Sequence, residues 1–589
     1  MTIEAVRPVT APSPIGSASR EERTPMSTSP TWFGSGGRRL FGVVHIPEGG
    51  QAKAGVVLCS SMGKEHVDTY RGLKLLAQEL SAAGFAVLRF DYFGVGDSGG
   101  EQNDPAAVDG WLASIGDAVA LVRSLGCETV SAVGLRSGAL LLDRAADSVG
   151  PLHTAVLWDP VPRGRAYLRE QQALYRLGVG SDTPTDASTP DDTDLHTIGH
   201  SLSAEAAAAL SAMEISASSS SVSNWVFALR DGYSSPRLDK AVQRSGGVVR
   251  DVGPMTEFVT PESFLVPIPA RAVREIVDIV EDAHRGDVAV PVSFEPVTSV
   301  THEAVDGTVF TEHIESVGAH GLFGIRSTPA EVDPSARTLV FCATANDTRT
   351  GPARLWVELA REAARAGTSA LRFDRRGTGE SETVRADEHT PIYSAESADD
   401  VVAAARAAHE DPRRVVLAGI CSGSWNAAHA ATEIGAGGAV MVNAIAWSWK
   451  RKKSTQGEID PADLGIPRSD PAWQKTPRAR VKNALQTHLP YRAWRQLGVR
   501  GVTQVPEVIL RSLAGSGVTS TVILAPADHR WFVDQRGPEG MDRIERRFHS
   551  VPEIVPAPVG DHSAYHVDMR RTIISTVLER TTEKRDVTT

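Results

Sequence analysis

Cysteine is scarce in this sequence and long apolar runs are missing, which limits what the chain can be. Four cysteines among 589 residues offer neither a disulfide framework nor the spacing of metal ligands. No stretch approaches the roughly 18 consecutive apolar residues of a membrane-spanning helix, and the N-terminus lacks the apolar core of a secretory signal. We therefore expect a cytoplasmic protein that uses no cofactor and no metal and binds no membrane.

Positive charge is also in short supply, apart from one segment. The formal net charge of −11 argues against nucleic acid as a partner. Between Lys450 and Arg500, however, twelve lysines and arginines stand against four acidic residues. The sequence leaves two interpretations of this basic segment open. It is a solvated lid, or it is a docking face for coenzyme A phosphates or an acidic carrier protein.

The two ends of the chain lack the pattern of folded elements. Residues 1–30 are rich in proline, serine and charge, which predicts a disordered leader. Met26 lies within this segment, so translation starts either at Met1 or at Met26. We interpret residues 581–589 as a short tail.

The rest of the chain repeats itself. LFGVVHIP at Leu40 returns as LFGIRSTP at Leu322, and LRFDYFGVGDS returns as LRFDRRGTGES. Two further blocks recur in the same order, GVVLCSS as TLVFCAT and VGLRSGAL as AGICSGSW. Ordered blocks at a nearly constant offset of 282–285 residues indicate a tandem duplication. The predicted domains are residues 31–290 and 291–580.

Each copy alternates β-rich runs with amphipathic helical segments. In the second copy TLVFCA, TSALRFD and RRVVLAGI are typical of buried strands, while ARLWVELAREAARAG and SADDVVAAARAAHED have helical spacing. Strands that alternate with helices pair in parallel, so we predict an α/β fold with two doubly wound, mostly parallel sheets. An irregular insert in each copy, about 163–223 and about 447–515, predicts a lid.

With these blocks the chain resembles the α/β-hydrolase superfamily over nearly all of its length after residue 30. The first copy, with CSSMGKEHVDTYRGLKLLAQELSAAGFAVLRFDYFGVGDSGG, is similar to dienelactone-hydrolase-like and exosortase-associated hydrolases. The superfamily's signature is a nucleophile elbow, G-x-Nuc-x-G, between a strand and a helix. The resemblance implies a nucleophile, an acid and a histidine in that chain order.

The second copy has this elbow at GICSG, with Cys421 in the nucleophile position. At a helix N-terminus the dipole lowers the pKa of a thiol towards a reactive thiolate. A buried structural cysteine is the plainer interpretation, but Gly419 and Gly423 on either side favour the nucleophile. Ser422 and Ser424 compete for the role, although neither has glycine at both offsets.

The base and the acid are expected further along the second copy. TSTVILAPADHRW ends a predicted strand near Asp528, and EIVPAPVGDHSAY places His562 in a loop 34 residues later. The order matches the one that the resemblance implies. The competing residues are His529, His549 and His566 for the base and Asp534 for the acid. The predicted triad is Cys421, Asp528 and His562.

The resemblance also implies an oxyanion hole. One donor is the backbone N–H of Ser422, the residue after the elbow. The other donor comes from the loop after FCATAN, with Ala343 and Thr344 as the two candidates. This loop lacks the His-Gly pair of many family members.

The first copy fails the same tests. Its elbow, GLRSG, places Arg136 at the nucleophile position, and arginine is no nucleophile. Asp231 holds the acid position, but no histidine occurs between residues 201 and 283. We interpret this copy as a pseudo-enzyme domain that supports the second copy, completes its pocket or binds a partner. Arg136 is a candidate anion-binding residue at the former oxyanion site.

A cysteine at the elbow favours acyl transfer. Its acyl-enzyme is a thioester, which reacts with amines and hydroxyls more readily than an oxyester does. Cysteine-bearing members of the superfamily include polyhydroxyalkanoate synthases and condensing thioesterases, so the resemblance implies an acyltransferase or thioesterase, in keeping with secondary metabolism. The expected partners are a small-molecule acyl donor, carried as a coenzyme A or carrier-protein thioester or an activated ester, and an alcohol or amine acceptor. Plain hydrolysis of esters or thioesters, carbon–carbon cleavage, and a non-catalytic scaffold remain open.

Overall fold

The chain folds into two α/β bodies, residues 27–292 and residues 299–582. The computed structural model describes residues 27–179, 193–233, 235–261, 266–304, 306–345, 347–382, 392–449, 488–548 and 551–582. None of the helices in these ranges combines the length and the hydropathy needed to cross a bilayer.

The first body is a sheet covered by helices. Its strands are β1 (Ser27–Phe33), β2 (Leu40–Ile46), β3 (Gln51–Ala52), β4 (Gly55–Cys59), β5 (Ala86–Phe90), β6 (Val130–Leu135), β7 (Leu152–Trp158), β8 (Leu195–Thr197), β9 (His200–Leu202), β10 (Val222–Arg230), β11 (Val248–Gly253) and β12 (Val290–Pro291). Its helices are α1 (Lys64–Ala82), α2 (Ala107–Ser124), α3 (Ser137–Ala145), α4 (Gly164–Gly178), α5 (Ala204–Ala212), α6 (Pro236–Ser245), α7 (Thr256–Val259) and α8 (Ala270–Ala283).

The strand sequences explain why this sheet is buried on both faces. The order is β1-β2-β5-β4-β6-β7-β10-β11, antiparallel up to β5 and parallel beyond it. In β4, Val57 and Cys59 belong to one apolar core while Val56 and Leu58 belong to another. Because successive side chains point to opposite faces, a run of apolar residues fills both cores at once.

The second body has the same architecture. Its strands are β13 (Ser299–Glu303), β14 (Val309–Val317), β15 (Leu322–Pro329), β16 (Thr338–Cys342), β17 (Ser369–Phe373), β18 (Val415–Ile420), β19 (Gly438–Val442), β20 (Thr519–Leu524) and β21 (Glu553–Pro556). Its helices in the described ranges are α9 (Leu355–Arg365), α10 (Ala395–Ala408), α11 (Ser422–Ile434), α12 (Tyr491–Val499), α13 (Pro506–Gly515), α14 (Pro526–Asp534), α15 (Gly537–Phe548) and α16 (Val567–Thr582).

The two sheets share a strand order. The second sheet runs β13-β14-β15-β17-β16-β18-β19-β20-β21 and is parallel from β17 onward. From β15 this order repeats that of β2-β5-β4-β6-β7-β10-β11 in the first sheet. The prediction of an α/β fold with two mostly parallel sheets is therefore confirmed.

The ends of the predicted domains differ from expectation. Ser27–Pro30, assigned to the leader, form part of β1 because this strand pairs with β2 along its whole length. Residues 1–26 lie outside the described ranges. At the other end, α16 continues to Thr582, past the predicted start of the tail. Between the bodies, β12 pairs with β3, so the first body extends slightly beyond residue 290.

The predicted lids are only partly within the described residues. Residues 450–487, most of the basic segment, and residues 180–192 lie outside them. The described end of the insert in the second body, α13, buries Ile509, Leu510 and Leu513 in the core against the sheet. This helix is part of the layer that covers the sheet, because its apolar face needs a partner. The lids themselves stay predictions.

The two bodies meet through ion pairs between equivalent positions of the two repeats. Arg89 of the first body donates two hydrogen bonds to Glu380 of the second, at 3.0 and 2.9 Å. Conversely, Arg372 of the second body pairs with Asp97 of the first. Arg372 lies at the position of Arg89 in the repeat, and Glu380 at the position of Asp97. The interface is thus reciprocal, as in a symmetric dimer.

More charges are buried around this reciprocal contact. Arg349 lies 2.6 Å from a carboxylate oxygen of Asp97 and 2.6 Å from one of Asp374. Its guanidinium also covers the rings of Phe41 and Phe323, at 4.9 and 4.4 Å from their centroids. These two phenylalanines are equivalent in the repeat and contact each other edge to face. The interface holds the first body in place beside the carboxyl ends of the second sheet.

Candidate active site

The elbow of the second body has the geometry that its sequence predicts. Cys421 lies between β18 and α11 with φ 52° and ψ −113°. A Cβ on Gly423 would lie 2.3 Å from the carbonyl oxygen of Cys342, and one on Gly419 would lie 2.4 Å from the backbone of Gly423. Only glycine fits at these two positions, and the turn they permit places the Cys421 thiol at the N-terminus of α11.

The predicted acid and base lie together beside this elbow. Nδ1 of His562 is 2.7 Å from Oδ1 of Asp528. Asp528 is buried in the first turn of α14, four residues past the end of β20 rather than at the strand end itself. The competing Asp534 is the last residue of that helix, and His549 lies outside the described residues. The structure therefore pairs His562 with Asp528.

The charges of this group act on one another. Burial opposes ionisation of the Cys421 thiol and is the largest single effect, but the charge of His562 and hydrogen bonds with His562, Tyr393 and Thr344 together lower the pKa of the thiol. Burial likewise disfavours the charged imidazole, yet the Cys421 thiolate and the hydrogen bond to Asp528 raise the pKa of His562 well above its usual value. The two shifts favour a thiolate–imidazolium pair, the reactive form of a cysteine nucleophile.

The loop after β16 lies beside the elbow. Thr344 lines the same cavity as Cys421, and its Oγ1 is 3.2 Å from Oγ of Ser422. Ala343 is buried beneath, and the backbone N–H of Ala345 donates to Oγ of Ser422 at 3.1 Å. Of the two candidates for the second oxyanion donor, Thr344 is the one at the cavity. Ser422 is the first residue of α11, where backbone N–H groups lack intrahelical partners.

Two residues of the site escaped sequence reasoning. The hydroxyl of Tyr393 lies 3.8 Å from the sulfur of Cys421. Nδ2 of Asn443, just after β19, donates to the carbonyl oxygens of Asp561 and His562 at 3.1 and 2.8 Å. Its Oδ1 accepts a hydrogen bond from Ala525 at 2.8 Å. Asn443 thus ties the histidine loop to the acid loop. The one signal for it was its position at the carboxyl end of a buried strand.

The first body forms one wall of the site. Cys421 and His562 open onto a cavity of about 260 Å³. Helix α1 of the first body contributes Lys64, Asp68 and Arg71 to its lining. The first copy therefore completes the pocket of the second, which was one of the roles expected for it.

The equivalent elbow in the first body is occupied differently. Arg136 has φ 55° and ψ −117°, close to the values at Cys421. Its guanidinium lies 3.2 Å from Glu65, 3.7 Å from Asp159 and 3.8 Å from Glu170. Asp231 is exposed and holds no place in this cluster. Because these carboxylates already neutralise Arg136, the structure does not support the idea that it binds an anion.

A further titratable group lines the cavity. Asp347 follows the loop after β16, and burial raises the pKa of its carboxyl to about 7. Lys64 and Arg375 lower this pKa and Asp68 raises it, but burial is the largest effect. The carboxyl is therefore partly protonated near neutral pH, whereas Asp68 is held by Lys64 at 2.6 Å from both of its oxygens.

Asp347→Asn should change how stability depends on pH. Between about pH 4 and pH 7 the native chain holds a proton that the unfolded chain has released, so stability falls as the pH rises through this window. The variant lacks this loss. From pH 4 to pH 8 its free energy of unfolding should therefore rise by about 1–2 kcal/mol relative to that of the native chain. Solvent at the cavity keeps this gain below the full value that the pKa shift implies. Urea unfolding at both pH values measures the gain. Asp109→Asn, an exposed position on α2, serves as control. A gain equal to the control's contradicts the assignment.

Among the comparisons with known proteins, a family model matches most of the second body. Residues 319–574 match the model of the alpha/beta hydrolase family. No protein of curated function matches the chain. Similar solved structures include Est1E from Butyrivibrio proteoclasticus with ferulic acid bound (13% identity, 43% of this chain and 96% of that chain, TM-score 0.31). Two others are the esterase Pf2001 of Pyrococcus furiosus (13%, 44% and 93%, 0.30) and a dienelactone hydrolase from Anabaena variabilis (13%, 48% and 96%, 0.30).

Proposed function

Since residues 319–574 match the model of the alpha/beta hydrolase family, we propose that the chain is an acyltransferase that works through a cysteinyl acyl-enzyme on Cys421. The observation that carries the proposal is that Cys421 and His562 line one cavity while Asp528 is hydrogen-bonded to His562. Its acyl donor is a thioester or activated ester, and its acceptor is an alcohol or an amine.

Each residue has a distinct part in the proposed reaction. The thiolate of Cys421 attacks the carbonyl carbon of the donor, and the backbone N–H groups of Ser422 and Thr344 bind the oxyanion of the tetrahedral intermediate. As the intermediate collapses, the imidazolium of His562 gives its proton to the leaving thiolate or alkoxide. The acyl group remains on Cys421 as a thioester.

The second half of the reaction returns the thiol. Neutral His562 removes a proton from the acceptor hydroxyl or amine, which attacks the thioester carbonyl and forms an ester or amide. The sulfur leaves as the thiolate of Cys421, beside a protonated His562. Asp528 accepts a hydrogen bond from Nδ1 of the imidazole throughout and so sets its orientation and tautomer.

Hydrolysis is the second candidate, and the family match favours it. Water in place of the acceptor would release a free acid from the same intermediate. The two reactions share every residue named here and differ only in what reaches the thioester. The non-catalytic alternative requires an inert Cys421, against which the lowered pKa of the thiol speaks.

The test is the mass of the intact protein after incubation with a series of acyl thioesters. We expect the native chain to gain one acyl group, mapped by peptide mass to Cys421, and Cys421→Ala to gain none. Cys127→Ala, which removes a buried thiol of the first body, is the matched control and should be acylated normally. Discharge of the adduct by water, alcohols or amines then distinguishes hydrolase from transferase. An adduct that persists in Cys421→Ala, or none with any donor, overturns the proposal.

A further inference from the structure

Helix α1 presents one face to the cavity that contains Cys421. Lys64, Val67, Asp68 and Arg71 all line this cavity. Their spacing of three and four residues places them on one side of an α-helix. The first body therefore contributes a continuous strip of side chains to the site, with charged groups at both of its ends.

The two positive charges of this strip are in different situations. Lys64 is neutralised by Asp68, one turn away on the same helix. Arg71 makes no hydrogen bond and no ion pair with any side chain in the described part of the chain. Partial burial lowers the pKa of its guanidinium, although the residue as a whole stays exposed to solvent. Arg71 is thus a solvent-exposed cation at the cavity wall that has no counter-charge among the described residues.

An uncompensated guanidinium in a pocket has a definite preference. It presents several N–H donors in a planar fork that matches the oxygens of carboxylates and phosphates. The other carboxyl of the cavity, Asp347, interacts with Lys64, Asp68 and Arg375. Among the described residues that line the cavity, no carboxylate is left for Arg71, so an anionic group of a molecule that enters the cavity can pair with it.

We propose that Arg71 binds an anionic group of the acyl donor, a carboxylate or a phosphate, and that the first body thereby selects the substrate. The proposal rests on the acyl transfer proposed for Cys421 and deepens it by naming a substrate class. A carboxylate would lie on the acyl group itself. A phosphate would lie on the leaving group, as in coenzyme A or phosphopantetheine.

Three donors distinguish these sources. The pantetheine thioesters of pentanoic and glutaric acid differ by one carboxylate and carry no phosphate, while the pentanoyl thioester of 4′-phosphopantetheine adds only a phosphate to the first. The second-order rate constant for acylation of Cys421 is measured with each. We expect the native chain to prefer one anionic donor to the neutral one about 10- to 100-fold. A preference for the glutaryl donor assigns the carboxylate, and a preference for the 4′-phosphopantetheine ester assigns the phosphate.

Variants of Arg71 locate the preference. Arg71→Ala should remove it while changing the rate with the neutral donor less than about threefold, which also shows that the variant is folded. Arg71→Lys should keep part of it, since the charge remains without the planar fork. Arg169→Ala is the control, because this arginine is exposed on α4 outside the cavity. Equal rates with all three donors in the native chain, or a preference that survives in Arg71→Ala, overturn the proposal.

Direct binding separates this proposal from the one on which it rests. Calorimetry measures the affinity of the native chain and of Arg71→Ala for glutarate and for 4′-phosphopantetheine. Anion binding that depends on Arg71, with no acylation by any donor, means that acyl transfer fails and the anion site stands. Acylation without an anion preference means the reverse. If no donor acylates Cys421 and no anion binding depends on Arg71, both proposals are overturned.

Discussion

His562→Ala should lower the rate constant for acylation of Cys421 about 10²- to 10⁴-fold at pH 7. The variant loses the group that moves the proton between donor and acceptor. It also loses the charge and the hydrogen bond of His562 that lower the pKa of the thiol, so this pKa rises, with burial opposed only by the hydrogen bonds of Tyr393 and Thr344. We expect the residual rate to rise with pH up to and beyond the ordinary range of a thiol, whereas the native rate becomes constant at lower pH. Stopped-flow acylation from pH 5 to 10 records both profiles.

The matched control is His529→Ala. This histidine is adjacent to Asp528 in sequence, lies on α14 and does not line the cavity. Its removal should change the acylation rate less than about twofold. Equal losses in the two variants would mean that the effect comes from the fold of this region, and an unchanged rate in His562→Ala would remove His562 from the proposed mechanism.

Asp97→Ala should destabilise the chain by about 3–5 kcal/mol. This carboxylate is fully buried and compensates Arg349 and Arg372, two guanidinium groups that are themselves buried. Removing it leaves both positive charges in the interface without their partner from the first body. The loss appears as a lower midpoint of urea unfolding. Because Asp97 joins the two bodies, we also expect the transition to broaden or divide as they unfold separately.

An exposed ion pair provides the comparison for Asp97. Glu214 contacts Arg163 and Arg237 at 3.1 and 3.5 Å on the surface of the first body. Glu214→Ala should cost less than about 1 kcal/mol, because solvent screens these pairs. Asp97→Asn should fall between the two, since it keeps the shape of the side chain and loses the charge. A cost for Asp97→Ala as small as that of Glu214→Ala would show that water reaches the interface.

The sequence predicted what depends on local pattern. Alternating apolar strands and helices indicated two mostly parallel sheets, and the glycines beside Cys421 indicated the sharp turn that the structure shows. The order of residues along the chain and the positions of the predicted strand ends indicated Asp528 and His562 as acid and base. The structure places a hydrogen bond between these two residues, and their catalytic roles stay a proposal. These features follow from backbone geometry that only certain residues permit.

What the sequence did not predict depends on contacts between distant segments. Tyr393 reaches the sulfur of Cys421 from the loop before α10, and no local pattern marks it. Arg136 was a candidate anion-binding residue, but it forms an ion pair with Glu65, 71 residues earlier in the chain. The wall that α1 contributes to the cavity follows from the way the two bodies face each other, which is decided by side chains far apart in the chain. The common origin of the two halves stays an interpretation of the repeated blocks.

The reciprocal pairs of Arg89 with Glu380 and of Arg372 with Asp97 bear on how separate chains behave towards each other. A self-complementary interface can also form between the first body of one molecule and the second body of another, which yields a domain-swapped dimer. The short connection at 293–298 keeps the intramolecular partner at an effective concentration on the order of millimolar. The closed single chain therefore prevails in dilute solution, and swapping becomes a competing route when concentrated, unfolded protein is refolded.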